Sequence, residues 1–267
     1  MTGLTNGAKS GVTSGVTSDV TSGVTSDATG LSNNPTLAVA IKICGITRVE
    51  DALAAIDLGV AMLGVNFYPA SPRCITLQQA QQIASAVAGR AKLVGVFVNM
   101  PVPDVLRIAR EVPLNAVQLH GDESSDDCWV VAAEFPVICA LKVDSSLEWR
   151  VFEQFRPRII SQGSDALKME DARWDLLLDT PCTDLGGSGE SFQWTDVRWD
   201  WLRLRLPHSK LFLAGGLDPG NVAQAIAIAH PSAVDVCSGV EEAKGIKSIE
   251  KMRAFVAAVR AAERQEQ

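Results

Sequence analysis

Leu37-Ala38-Val39-Ala40-Ile41-Lys42-Ile43-Cys44-Gly45 is an apolar run that stops on a thiol and a glycine. Its length and its β-branched residues predict a strand, and the glycine predicts the tight turn that closes it. The run opens a series. Strands are predicted near 39–43, 61–67, 93–98, 115–119, 137–142, 174–178, 210–214 and 233–236. Helical patterns fall between them, near 48–58, 76–88, 102–111, 124–134, 146–155, 195–205, 219–229 and 248–262. Thr47 ahead of Glu50, and Asp218 ahead of Pro219, read as helix starts. Eight β units alternating with eight α units predict an α/β protein with a parallel sheet, either a closed (β/α)8 TIM barrel or a doubly wound sheet. The count favours the barrel. Runs such as Leu93-Val94-Gly95-Val96-Phe97-Val98 are apolar at every position, as strands covered on both faces must be.

Two segments depart from this rhythm. Residues 11–30, GVTSGVTSDVTSGVTSDATG, repeat small polar residues every four positions and bury too little apolar surface to offset the entropy of ordering. A low-complexity disordered arm is therefore expected over 1–36, followed by a single catalytic barrel domain over 37–267. The stretch 156–173 is irregular, and no element is assigned to it.

Bulk properties exclude several classes of function. Of the 267 residues, 47% are hydrophobic and 21% charged, ordinary values for a folded domain. A formal net charge of −7 opposes nucleic-acid binding, which relies on clustered Lys and Arg. No apolar run approaches a membrane span, and no secretory leader is evident, so a cytoplasmic location is expected. Cys44, Cys74, Cys128, Cys139, Cys182 and Cys237 are scattered without a CxxC pair and are expected to be free thiols. The three histidines, His120, His208 and His230, do not stand at ligand spacing from a cysteine pair, so no metal site is expected.

The ends of the predicted strands carry the chemistry. In order they are Cys44-Gly45, Asn66-Phe67 leading to Ser71-Pro72-Arg73, Asn99, His120-Gly121, Lys142, Asp179-Thr180, Gly215-Gly216 and Ser238-Gly239. In a parallel barrel the C-terminal strand ends form the active face. Cys44 and Asp179 are a thiol and a carboxylate displayed on one mouth. The two late glycine loops are placed to offer backbone N–H groups to a phosphate. A third loop, Gly186-Gly187-Ser188-Gly189, is flexible enough to fold over a ligand. Arg73 offers a fork for a carboxylate, or is a solvated surface arginine. His120 is a candidate base, or it shapes its loop.

KICGITRVEDA (42–52), SPR (71–73), VQLHGDE (117–123), LLLDT (176–180), GGSGESFQW (186–194), LAGGLDPGNV (213–222) and VDVCSGVE (234–241) together resemble phosphoribosylanthranilate isomerase, an enzyme family of tryptophan biosynthesis. The matches run in family order from about Ile41 to Val259. The resemblance implies a (β/α)8 barrel that carries out an Amadori rearrangement of N-(5-phosphoribosyl)anthranilate to 1-(2-carboxyphenylamino)-1-deoxyribulose 5-phosphate. It also implies Cys44 as general base, Asp179 as general acid, and Arg73 as the residue holding the anthranilate carboxylate. Gly187, Gly215, Gly216, Ser238 and Gly239 are implied to hold the sugar phosphate. No redox step is involved, so no cofactor is expected. A monomer is expected ahead of a homodimer.

The residue types suit that chemistry. A shielded carboxylic acid can protonate a furanose oxygen, and a thiolate whose pKa lies below the ordinary 8.5 or so can remove a C2 proton. A cationic Schiff base or Lys142 is the expected source of charge that lowers Cys44. Three departures from the family pattern stand out: Ser188 where Thr is usual, Cys74 where an aromatic residue usually follows the arginine, and Ser248 where an aspartate usually caps the last helix. Other readings remain open on the residues alone. One is another phosphate-binding barrel enzyme of amino-acid biosynthesis. A second is a cysteine hydrolase with His120 as base, and a third is a non-catalytic phosphosugar-binding module with Cys44 as a core thiol.

Overall fold

Eight parallel strands close on themselves in the computed structural model, which describes residues 38–155, 174–180 and 193–265. The strands are β1 (Ala40–Ile43), β2 (Met62–Asn66), β3 (Lys92–Phe97), β4 (Ala116–Leu119), β5 (Val137–Lys142), β6 (Trp174–Asp179), β7 (Leu211–Leu213) and β8 (Ala233–Val236). Each pairs with its successor, and β8 returns to β1 with Ile43 opposite Val236. The helices are α1 (Val49–Asp57), α2 (Leu77–Val87), α3 (Val102–Glu111), α4 (Ser125–Ala132), α5 (Leu147–Gln154), α6 (Trp199–Arg205), α7 (Val222–Ala229) and α8 (Ile249–Gln265). The chain is the predicted (β/α)8 barrel. The arm expected at 1–36, Cys182, Gly187 with its loop, and 156–173 lie outside the described residues.

Period-two alternation along each strand explains why the strands are apolar on both faces over most of their length, because both faces are covered. One side chain in two enters the core between sheet and helices, which includes Ile41, Ile43, Leu63, Val65, Phe97 and Leu176. The others fill the barrel itself. Met62, Val94, Ala116, Ile138, Leu177, Phe212 and Ala233 make that second, smaller core. Above this plug the inward positions turn polar, with Lys42, Gln118 and Asp235 all buried. The active face begins there.

Local starts differ from expectation in three places. Thr76 and Ser124 begin α2 and α4 with reciprocal capping boxes to Gln79 and Asp127. Thr47, however, does not cap α1; its hydroxyl donates to the Gly245 carbonyl. Asp218 accepts from the Gly220 and Asn221 amides, so it builds a turn and α7 starts only at Val222. The pattern read as one helix over 195–205 is a 3-10 turn at Trp194–Asp196 followed by α6, with Trp199 Nε1 donating back to the Trp194 carbonyl. Ser248 accepts from Lys251 N and supplies the start of α8. A short hairpin, β9 (Glu241–Ala243) and β10 (Ile246–Lys247), was not foreseen.

Candidate active site

Parallel register brings the first and last strands' ends together. Cys44 N donates to the Val236 carbonyl at 2.8 Å, which sets Cys44 beside Cys237. Cys44 is partly exposed at the barrel mouth. Its thiol is held well below the ordinary value, first by the Cys237 S–H that donates to it. Burial opposes this, while the charges of Lys42, Lys247 and His120 assist. Cys237 is correspondingly pushed well up, by its bond to Cys44 and by burial, and so remains the donor. Among the described residues the charge that lowers Cys44 comes from Lys42, Lys247 and His120, where the sequence pointed to a cationic Schiff base or Lys142. All five described cysteines among the expected free thiols, Cys44, Cys74, Cys128, Cys139 and Cys237, are free.

Lys247 reaches this thiol pair from the hairpin. Its Nζ bonds the Cys237 carbonyl at 3.0 Å and Glu241 Oε1 at 2.9 Å. Its backbone N–H donates to Asp51 Oδ2 at 3.1 Å, and Asp51 is itself held by Arg48, so the first turn of α1 anchors the hairpin. Arg73 is no solvated surface arginine. Only 4% exposed, it donates through Nε and Nη2 to the two oxygens of Glu241 at 2.8 and 2.7 Å. Burial works against the Glu241 charge, yet Arg73 and Lys247 hold the carboxyl below its usual range. The remaining Arg73 nitrogen, Nη1, donates to none of the described residues. Its loop is set by Ser71, whose hydroxyl oxygen accepts from Arg73 N and from Asn66 Nδ2.

Across the mouth, Asp179 Oδ1 accepts from Thr180 N at 2.8 Å, and Oδ2 lies 3.1 Å from His120 Nε2. His120 Nδ1 lies 2.9 Å from Gln118 Nε2. Burial opposes an imidazolium, but the Asp179 hydrogen bond and charge outweigh it and raise the His120 pKa. His120 thus belongs to the site. The loop it was expected to shape is laced instead by Glu123, which accepts from Asn99 N and Gly121 N, and by Asn99, which accepts from Asp122 N. Both imidazole nitrogens are engaged away from Cys44, which removes the thiol–imidazole pair that a cysteine hydrolase requires.

The two late glycine loops touch. A Cβ on Gly239 would meet the Leu217 carbonyl at 2.0 Å, so only glycine lets the β8 loop close on the β7 loop. Gly215, with φ +82°, has Thr180 Oγ1 2.1 Å from where a Cβ would stand. The Gly215 and Gly216 amides donate to no described residue. Ser238 opens a 3-10 turn, Ser238–Val240, on the same rim.

The sequence model of a family described as N-(5'-phosphoribosyl)anthranilate (PRA) isomerase matches residues 41–258. The chain belongs to the phosphoribosylanthranilate isomerase family. It is 42% identical over 226 residues to N-(5'-phosphoribosyl)anthranilate isomerase of Pseudomonas fluorescens, spanning 84% of this chain and 99% of that one. A crystal structure of monomers of the dimeric phosphoribosylanthranilate isomerase from Thermotoga maritima is similar with a TM-score of 0.69 and 34% identity, over 84% of this chain and 99% of that one. A phosphoribosylanthranilate isomerase in complex with reduced 1-(o-carboxyphenylamino)-1-deoxyribulose 5-phosphate gives the same TM-score, 0.69, identity, 34%, and coverages, 84% and 99%. Measured against the family motifs, Cys44, Arg73, Asp179, Gly215, Gly216, Ser238 and Gly239 all lie on or beside this one mouth. Lys42, Asp235, Glu241 and Lys247 went unnoticed as site residues. Lys42 and Asp235 sit inside motifs that read as strand, and the Lys244-Gly245 turn was the only sign of the hairpin.

Proposed function

We propose that this chain converts N-(5-phosphoribosyl)anthranilate to 1-(2-carboxyphenylamino)-1-deoxyribulose 5-phosphate, with Cys44 as general base and Asp179 as general acid. The observation that carries this reading is His120, which bonds Asp179 and acts electrostatically on Cys44 as well, so acid and base share one mouth. The sugar phosphate docks on the amides of Gly215 and Gly216, which donate to no described residue, beside Ser238 and Gly239. Arg73, whose Nε and Nη2 are committed to Glu241, offers Nη1 to the anthranilate carboxylate.

Asp179 gives its proton to the furanose oxygen as the C1–O bond breaks, and the anthranilate nitrogen supplies its lone pair to form a cationic Schiff base. The proton comes from the Asp179–His120 pair, in which the imidazole bond orients the carboxyl. Cys44, as thiolate, then takes the C2 proton. The C–H pair becomes the C1–C2 double bond, the nitrogen recovers its lone pair, and the resulting enolamine tautomerises to the ketone. The lowered thiol suits this step, because a thiolate must exist near neutrality before it can accept a proton.

Purified protein should consume the fluorescent substrate, and Cys44→Ser and Asp179→Val should each abolish turnover while phosphate-analogue binding persists. Normal turnover in either variant would reject that residue's role. The subunit is taken as a monomer; light scattering that returns twice the chain mass of 28.5 kDa would establish instead the homodimer that the Thermotoga maritima relative raises.

A further inference from the structure

Beneath Cys44, the barrel holds a charge pair that the chemistry above leaves unused. Lys42 stands two residues before Cys44 on β1, so both side chains enter the barrel. Lys42 is fully buried, and its Nζ lies 2.7 Å from Asp235 Oδ2 on the directly paired position of β8. On the other side, β2 presents Gly64. A Cβ there would stand 2.8 Å from Cys44 Sγ and 3.2 Å from Lys42 Nζ, so sulfur and ammonium face one gap that only a bare backbone leaves open. Asp235 is 7% exposed and its second oxygen, Oδ1, has no hydrogen-bond partner among the described residues. One buried ammonium therefore serves two acids.

We propose that Lys42 and Asp235 are positioning residues for the Cys44 base: the Lys42 ammonium is the counter-ion of the thiolate, and Asp235 keeps that ammonium paired once Cys44 has become a neutral thiol. The proposal rests on the reading of Cys44 as the base. During turnover a proton leaves substrate C2, an S–H bond forms, and the C–H electron pair stays with the substrate. Lys42 keeps its protons throughout. Without Asp235, that transfer would strand a buried ammonium with no anion, a costly state. With it, the pair carries the same charge before and after. The electrostatics agree. Burial opposes the Lys42 charge, but Asp235 and Cys44 raise its pKa, while burial pushes Asp235 up to about 7. The Cys44 charge opposes that of Asp235, so protonating the thiol eases the carboxylate. Cys44 is faced by Lys42 from β1, His120 just beyond β4, Lys247 from β10, Cys237 beyond β8 and Arg73 from the loop after β2. Asp235 is faced by Lys42, Cys44 and Asp179.

The test follows iodoacetamide alkylation of the Cys44 peptide by mass spectrometry across pH, in the full chain without substrate, alongside kcat. Asp235→Asn should lower the alkylation midpoint by about one pH unit, because Cys44 is then the one anion among the described residues that acts on Lys42. The same variant should lose about tenfold in kcat, since a thiolate anchored more tightly is a weaker base. A loss of activity from structural damage would not come with a lowered thiol midpoint. Lys42→Met combined with Asp235→Asn removes both charges together and leaves no ion bare. Its midpoint should rise by about one unit or more, toward the ordinary thiol value. An unmoved or raised midpoint in Asp235→Asn overturns the proposal; should that variant not fold, an unmoved or lowered midpoint in the double variant overturns it. Wild-type turnover by Cys44→Ser would instead reject the base assignment, which the alkylation midpoints do not read.

Discussion

Cys44 becomes a base through its neighbours. A lone cysteine in an apolar strand is usually inert, and burial alone would raise its pKa. Here a thiol donor and three cations reverse that outcome, with the Cys237 S–H foremost. Cys237→Ala should therefore move the alkylation midpoint of Cys44 upward. Because the thiolate is the active form, kcat/KM rises with pH through that midpoint, and its acid limb should move upward by the same amount. An unmoved limb would mean that Cys237 is a bystander. His120 makes a second prediction. Its pKa is raised in the folded state by Asp179, so its contribution to stability is complete below the unfolded value of about 6.5 and is lost as pH rises through the folded one. The Tm difference between wild type and His120→Asn should therefore be largest on the acid side and shrink with rising pH. The thiol and the carboxylate were legible in sequence as polar residues ending apolar runs. His120 reads in sequence as a candidate base or a loop residue; its bond to Asp179 joins two strand ends far apart in the chain, which spacing does not show.

Loops after strands explain most of what the elements contribute. Gly215 and Gly239 are required for different reasons. The first combines a positive φ with the close approach of Thr180, and the second lies against the backbone of Leu217. Gly239→Ala must push the β7 and β8 loops apart. We expect KM to rise by about tenfold to a hundredfold, as one or two backbone contacts to phosphate at ~1–3 kcal/mol would imply, with the Cys44 alkylation midpoint unchanged. An unaltered KM would remove these loops from phosphate binding. The β9–β10 hairpin was the element missed. Its strands are too short to show a period, and its function depends on Asp51 in α1 and Glu241 in β9 holding Lys247 against the thiols. Helix starts were misread for a related reason. Thr47 and Asp218 have the right side chains for caps, but tertiary or turn partners claim them first.

Closing the barrel gives the molecule two cores, and the inner one supports the active face from below. Phe212 fills the interior at 2% exposed. Phe212→Ala should cost ~3–5 kcal/mol, read by denaturant unfolding, because a packed barrel interior relaxes little around a cavity. A loss below ~1 kcal/mol would indicate an interior that collapses to fill the gap. Closure also makes the site. Cys44 and Cys237 lie at opposite ends of the barrel sequence, and the β1–β8 pairing alone makes them neighbours.

Strand and helix alternation, the apolar coverage of both strand faces and the polar residues at strand ends are local patterns, and local patterns are written directly in the chain. They were enough for the barrel, for the family resemblance and for Cys44, Asp179 and the glycine loops as candidates. Protonation and pairing were not. The charge on Cys44 depends on Lys42, Lys247 and Cys237, the fork of Arg73 on Glu241, and the orientation of Asp179 on His120. These are through-space interactions whose strength is set by distance and burial. Both quantities come into existence when the sheet closes.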